Sequence, residues 1–401
     1  MTQLWKKILC LMLLTAVIIL GCACGQGAND EEMPDVVKIG FIGPFTGANS
    51  VEGLAAKDAF QMYIEKAVKQ RQLPYEINVV AYDDASQPEV GAEAAQKLVA
   101  DKQVLAAAGH WNSPVAEATI PIFIDAKCPM VIWGAISDSL TSESNYPYIT
   151  RVVPTDIQEN LPLADYVLGD LGYNKIFVIA ADNSYGESNT AAFKKQMATY
   201  GAKMTGYVTT DTTTTDYSAI LSDARGSGCN AIFYGGNARE CAMIASQMQT
   251  MGMNDILLFG ISGIASEDFI ATAGQQAAEG TISIYPGINP ESSEEYKKFL
   301  NEYEKYSTNT IGAFTVYAYH TAQVIIAALD SIDGVPTREN VTEAIVNVDM
   351  EGVMGHTTFD GIGQTTNPMC YLVICQDGKW VPYDRSEYAT GLRSLPGNNF
   401  Q

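Results

Sequence analysis

Short apolar runs of strand-forming residues alternate with helical patterns along most of this 401-residue chain, and that alternation narrows the fold more than any other feature. Residues 37–42 (VKIGFI) are rich in β-branched and aromatic side chains, and glycines from Gly43 to Gly47 interrupt them. A helical pattern over 53–68 then places Ala55, Ala56, Ala59, Phe60, Tyr63 and Ile64 on one side. Residues 77–82, Val104–Ala108 and 130–133 read as further strands, with helices over 90–100 and 115–125 among them. A strand without polar alternation must be covered on both faces, and connecting helices supply the cover, so a parallel sheet in an α/β fold is expected.

The same grammar restarts near residue 176, with strands over 176–180, 203–208, 231–233 and 256–259 and helices over 187–200, 217–225 and 238–251. Between the two runs, residues 150–155 (TRVVPT) have no helical period and read as an extended crossing. A strand at 281–285 and helices over 292–306 and 312–328 are expected to return to the first sheet, while 370–375 and 380–381 complete the second. Two such sheets joined by several crossing segments form a hinge, and their facing carboxyl edges enclose a ligand-sized cleft.

One turn carries the sharpest chemistry. Val104–Ala108 ends at Gly109, and Asn112-Ser113-Pro114 has the composition of a helix start. A strand that meets a helix N-terminus aims unpaired N–H groups and the positive end of the helix dipole beyond the strand, where an anion is held without a cationic side chain. Ser113 adds a hydroxyl at the same place, so this turn is expected to grip a carboxylate; an N-cap with nothing bound is the bland alternative.

Acidic residues outnumber lysine and arginine by 46 to 24, and the body of the chain has no basic cluster, which argues against nucleic acid as a partner. Only His110, His320 and His356 are present, scattered and without metal-ligand spacing, so no metal and no cofactor are expected. At the N-terminus, Lys6-Lys7 precede an apolar run from Ile8 to Leu20, too short for a permanent membrane helix and typical of a secretion signal. Ile19-Leu20-Gly21-Cys22 resembles the bacterial lipoprotein box, which implies cleavage after residue 21 and a lipid on Cys22. Residues 22–36 are then a polar, acidic tether, and loss of the leader moves the formal charge from −22 to −24. Beyond the tether lie Cys128, Cys229, Cys241, Cys370 and Cys375, an odd number, and these are expected as free thiols.

From residue 37 to about 385 the chain resembles the type I periplasmic substrate-binding proteins of ABC importers, in the leucine/isoleucine/valine-binding branch. The matching pieces are Lys38-Ile39-Gly40 with Gly43-Pro44-Phe45-Thr46-Gly47, Tyr82-Asp83-Asp84, Gly109-His110 with Ser113, Asp182 with Tyr185-Gly186-Glu187, Tyr234-Gly235-Gly236, Ala278-Glu279-Gly280, and Gly355 with Phe359-Asp360 and Gly363. The resemblance implies two Rossmann-like lobes with parallel sheets joined by three crossing strands, near residues 151–154, 283–287 and 362–369. Lobe 1 is expected over 37–152 plus 286–364, and lobe 2 over 153–285 plus 365–401.

The resemblance also implies a ligand site. The serine that holds a ligand α-carboxylate falls on Ser113, and the flanking backbone positions fall on Gly134, Ala135 and Ile136. The tyrosine that closes from the far lobe falls on Tyr185, an aromatic wall on Phe314, and Trp111 stands where a leucine is usual. Two positions depart: the glutamate that pairs with a ligand ammonium falls on Ser262, and a second tyrosine falls on Asn237. Another acid must replace that glutamate or the ligand lacks the ammonium; Glu52, Asp182 and Glu240 are the candidates. The disulfide positions fall on Ser86 and Asn112.

The function implied is a non-catalytic receptor, expected as a monomer on the outer face of a bacterial cytoplasmic membrane, that captures an amino acid or similar small carboxylate and delivers it to an ABC permease. A ligand sensor that signals without transport is the alternative. Catalysis is not expected: Gly43 to Gly47 lacks both the GxGxxG spacing and the Walker lysine, no GxSxG elbow exists, and His110 reads as a strand-end residue satisfied by backbone.

Overall fold

The computed structural model describes residues 33–71, 73–289 and 292–397. The leader over 1–21 and Cys22 lie outside the described residues, and every element below belongs to the unit that begins at Asp35.

In the first sheet β1 (Val36–Gly43), β2 (Glu76–Asp83), β3 (Val104–Ala108), β4 (Met130–Ile132) and β5 (Ile149–Arg151) lie in the order β2-β1-β3-β4-β5, all parallel. β3 is buried along its whole length, as its unbroken apolar run requires for a strand covered on both faces. One cover is the Thr315–Asp330 helix, which packs on β3, β4 and the Ser50–Gln70 helix and is apolar nearly all round because it is buried nearly all round.

The second sheet takes β6 (Lys175–Ala181), β7 (Lys203–Thr210), β8 (Ala231–Gly235), β9 (Leu257–Phe259), β10 (Ile282–Pro286), β13 (Cys370–Gln376) and β14 (Lys379–Pro382), in the order β14-β13-β10-β9-β8-β6-β7. β6 through β10 pair in parallel, and β13 and β14 add two antiparallel pairings at one side. Phe193 stacks on Phe233 with ring centres 4.0 Å apart, and Phe259 meets both rings edge-on. A small antiparallel hairpin, β11 (Met350–Gly352) with β12 (Gly355–Thr357), stands apart from both sheets.

The chain crosses between lobes after β5, after β10 and on the way into β13. The last crossing runs beside β5, where Arg151 N–H donates to Gly363 O at 2.8 Å and Thr365 N–H donates to Arg151 O at 2.9 Å. The strand expected at 281–285 does not return to the first sheet. As Ile282–Pro286 it pairs between β9 and β13, because its apolar residues fill the gap between those two strands of the far lobe.

The periodicity reading missed the short helices Glu267–Ala273 and Gln275–Ala278 and two longer ones, and both of the longer ones start with a capping box. Thr155 accepts from Gln158 N–H and Gln158 returns a side-chain bond to Thr155 N–H, opening the Asp156–Ala164 helix; Thr337 and Asn340 do the same for Arg338–Val346. Pro162 obscures the apolar period of the first. Cys128, Cys229, Cys241, Cys370 and Cys375 are free thiols, Cys370 alone among them being half-buried.

Candidate functional site

A cleft of about 270 Å³ opens between loops at the carboxyl ends of both parallel sheets. Trp111, Ser113, Gly134 and Ile136 line it from the first sheet, Tyr185, Asn237 and Ser262 from the second, and Phe314 from the loop before the Thr315–Asp330 helix.

Ser113 is the first residue of the Ser113–Asp125 helix, and the extended backbone of Asn112 turns the chain into it. No side chain caps this helix start. Ser113 Oγ accepts from Ser137 N–H at 3.2 Å, which leaves the hydroxyl proton free to donate. Trp111 meets Phe314 edge-on with ring centres 6.3 Å apart, narrowing the cleft with an aromatic wall. Gly134 permits this: a Cβ there would sit 2.9 Å from both Cα and Cδ1 of Trp111.

The rim of the near lobe is held by two neighbouring carboxylates at the end of β2. Asp83 Oδ1 accepts from Phe45 N–H at 2.7 Å and Ala85 N–H at 2.8 Å, and Thr46 Oγ donates to Oδ2 at 2.6 Å, tying two loops together. Asp84 is fully buried, accepting from Ser86 N–H at 2.9 Å and meeting His110 Nδ1 at 2.9 Å. These bonds hold Ala85 and Ser86, both cleft residues, at positive φ of 49° and 58°. His110 therefore is not satisfied by backbone as expected: its ring lies between Asp84 and Thr119 Oγ1, the latter at 2.9 Å from Nε2. The buried imidazole needed partners on both nitrogens, and side chains on neighbouring elements supply them. With 0% exposure this His–Asp pair cannot reach a ligand; it braces the turn that carries Ser113.

On the far side, Asn183 caps the Ser184–Thr199 helix by accepting from Gly186 N–H at 3.0 Å, which sets Tyr185 in its first turn. Tyr185 OH packs on Gly263, where a Cβ would approach it to 2.3 Å. Ser262 Oγ donates to Glu159 Oε2 at 2.6 Å, and Ser262 N–H donates to the same oxygen at 3.2 Å. Burial pushes the Glu159 carboxyl up to about 8, with the two Ser262 bonds pulling the other way. Burial likewise raises Asp156 to about 6.

Several expected site residues fall elsewhere. Ala135 lies outside the lining, its N–H donating to His110 O at 2.9 Å. Glu52 also lies outside it: the carboxylate is tucked under the loop before Phe314, where Ala313 N–H donates to Oε1 at 3.3 Å. A buried acid there braces the aromatic wall from behind instead of facing a ligand. Asp182 is absent from the lining and Glu240 is in it, beside Arg239; these two are the charged residues of the lining. Trp133 is core, stacked on Phe41 at 5.5 Å with its indole N–H donating to Ile42 O. The rim residues Asn49, Gln87 and Asn183, and Glu159 behind Ser262, were not anticipated. The Thr155 to Gln158 capping box was the available sign that Glu159 sits on a helix.

Residues 36–379 match the family model described as periplasmic binding protein. A Leu/Ile/Val-binding protein homolog from Brucella abortus is 26% identical over 363 residues, covering 89% of this chain and 93% of the relative. A Pseudomonas aeruginosa amino acid binding protein is 24% identical, covering 86% and 92%. Among solved structures, the branched-chain amino acid transporter substrate binding protein LivJ of Streptococcus pneumoniae, in complex with isoleucine, superposes with TM-score 0.78 at 23% identity, covering 86% of this chain and 97% of that one. A solute binding protein of an R. palustris ABC transporter in complex with 4-hydroxybenzoate has TM-score 0.77 at 24% identity, covering 87% and 95%.

Proposed function

Because the chain belongs to the periplasmic binding protein family, we propose that it is the extracytoplasmic solute receptor of an ABC importer and that its cleft captures an amino acid or similar small carboxylate. The observation that carries this reading is the Ser113 hydroxyl at an uncapped helix start, opening into a cleft whose other wall belongs to the second lobe. Trp111, Gly134, Ile136, Tyr185, Asn237, Ser262 and Phe314 are its other contacts. Ligand bridging both walls favours the closed arrangement of the lobes, and a membrane permease reads that arrangement as one composite surface. No reacting group is needed: the relatives and neighbours are named as binding proteins.

The test is a thermal-shift screen of the purified protein against amino acids, amides and small carboxylates, since a ligand selective for the native state raises its apparent stability. For a ligand so found, Ser113→Ala is expected to weaken binding by about 1–3 kcal/mol. It also lowers the melting temperature of the empty protein modestly, because Ser137 N–H loses its acceptor. No shift with any carboxylate, or unchanged affinity in Ser113→Ala, refutes the reading.

The resemblance of residues 19–22 to a lipoprotein box supports anchoring through Cys22. In cell fractionation the full chain is expected with membranes and Cys22→Ala in the soluble extracytoplasmic fraction; an unchanged distribution removes the anchor.

A further inference from the structure

The far wall of the cleft is backed by an acid that the lining does not display. Ser262 faces the cleft, and both its hydroxyl and its N–H point away from it onto Glu159 Oε2. Glu159 is fully buried, and its second oxygen, Oε1, has no hydrogen-bond partner. The titratable groups that bear on it are Asp156 on its own helix, Tyr185 on the Ser184–Thr199 helix, Tyr317 on the Thr315–Asp330 helix and Cys370 on β13. None of these is a cation. Arg151 faces Asp156 and spends its donors on Gln364, Ser137 O and Thr141. A buried carboxyl with no cation beside it is held neutral, and a positive charge arriving nearby favours its ionised form. The opposite wall has the reverse polarity, with the Ser113 hydroxyl and the helix start as donors.

We propose that Glu159, acting through Ser262, is the counter-charge for an ammonium group on the ligand, so that the cleft selects amino acids over carboxylates that lack one. The inference rests on reading the cleft as a carboxylate site. With its proton committed to Glu159, Ser262 Oγ turns its lone pairs toward the cleft, where it accepts an ammonium N–H. Glu159 is thus a positioning residue and Ser262 the contact. In the empty protein at neutral pH Glu159 holds its proton; ammonium beside Ser262 favours the carboxylate, and the proton leaves to solvent. Affinity for an amino acid then rises with pH toward about 8, whereas a plain carboxylate gains nothing.

The test is calorimetry on the full protein with L-leucine, L-phenylalanine, L-glutamine and L-glutamate, each beside its des-amino counterpart: 4-methylpentanoate, 3-phenylpropanoate, glutaramate and glutarate. Each titration is run near neutral pH in phosphate and in Tris, whose ionisation enthalpies differ. An amino acid is expected to bind at least about tenfold more tightly than its counterpart and to release a proton, seen as a buffer-dependent enthalpy. Glu159→Gln is expected to abolish that proton release and weaken the amino acid by about tenfold or more, leaving the counterpart's binding unchanged. A counterpart that binds as tightly as its amino acid, or binding of the amino acid without proton release, overturns the proposal while sparing the carboxylate site. If none of these acids binds, the carboxylate site and the proposal fall together. Should Glu159→Gln not fold, the wild-type buffer comparison decides alone.

Discussion

Arg151→Met is expected to destabilise the protein by about 3–5 kcal/mol, since several buried acceptors each lose about 1–3 kcal/mol of hydrogen bonding at once. Arg151 is 0% exposed, and its guanidinium donates to Gln364 Oε1 at 2.6 Å, Ser137 O at 2.6 Å and Thr141 Oγ1 at 2.8 Å. Gln364 in turn donates to Val153 O at 2.9 Å. One side chain therefore joins the first crossing segment, the last crossing segment and the loop behind Ser113. Burial lowers the guanidinium to about 10, still far above neutral pH, so it stays charged in every ordinary buffer. Arg151→Lys restores the charge but not the fork of donors and is expected to recover only part of the loss. Urea unfolding measures both; a loss under about 1 kcal/mol for Arg151→Met would show that the crossings hold together without it.

Stability of the empty protein is expected to fall as pH rises from about 5 to about 8. Burial raises Glu52 from the ordinary 4.5 to about 7 and Glu159 to about 8, while Asp156 rises from 3.8 to about 6. Between the ordinary value and the raised one, the folded chain holds protons that the unfolded chain has released. The stabilisation is therefore complete below the ordinary carboxylate range and drains away as pH climbs through the raised values, by about 1.4 kcal/mol for each tenfold gain in proton affinity that folding confers. Glu52 isolates part of this slope, because it lies outside the cleft. Glu52→Gln keeps the shape and the acceptor for Ala313 N–H but cannot ionise, so its urea midpoint is expected to decline less steeply over that range. A wild-type midpoint that rises with pH, or an equal slope in both proteins, contradicts the assignment.

The alternation of apolar runs and helical patterns determined the α/β class, the two lobes and most of the strands, because a strand covered on both faces and an amphipathic helix each write their burial into local order. Val104–Ala108 is a strand with the bounds read from its composition, and the helix after it begins at the Ser113 that its Asn-Ser-Pro start announced. Tertiary structure alone decided where acids end up. Glu52 and Glu159 look alike in sequence, yet one braces the loop before Phe314 and the other stands behind Ser262. Likewise, Ile282–Pro286 reads as any buried strand, and only the neighbours left unpaired in the far sheet assign it there. The reason is range: periodicity reports which face of an element is buried, whereas the partner of a buried carboxyl or the neighbour of a strand is fixed by contacts between residues far apart in the chain.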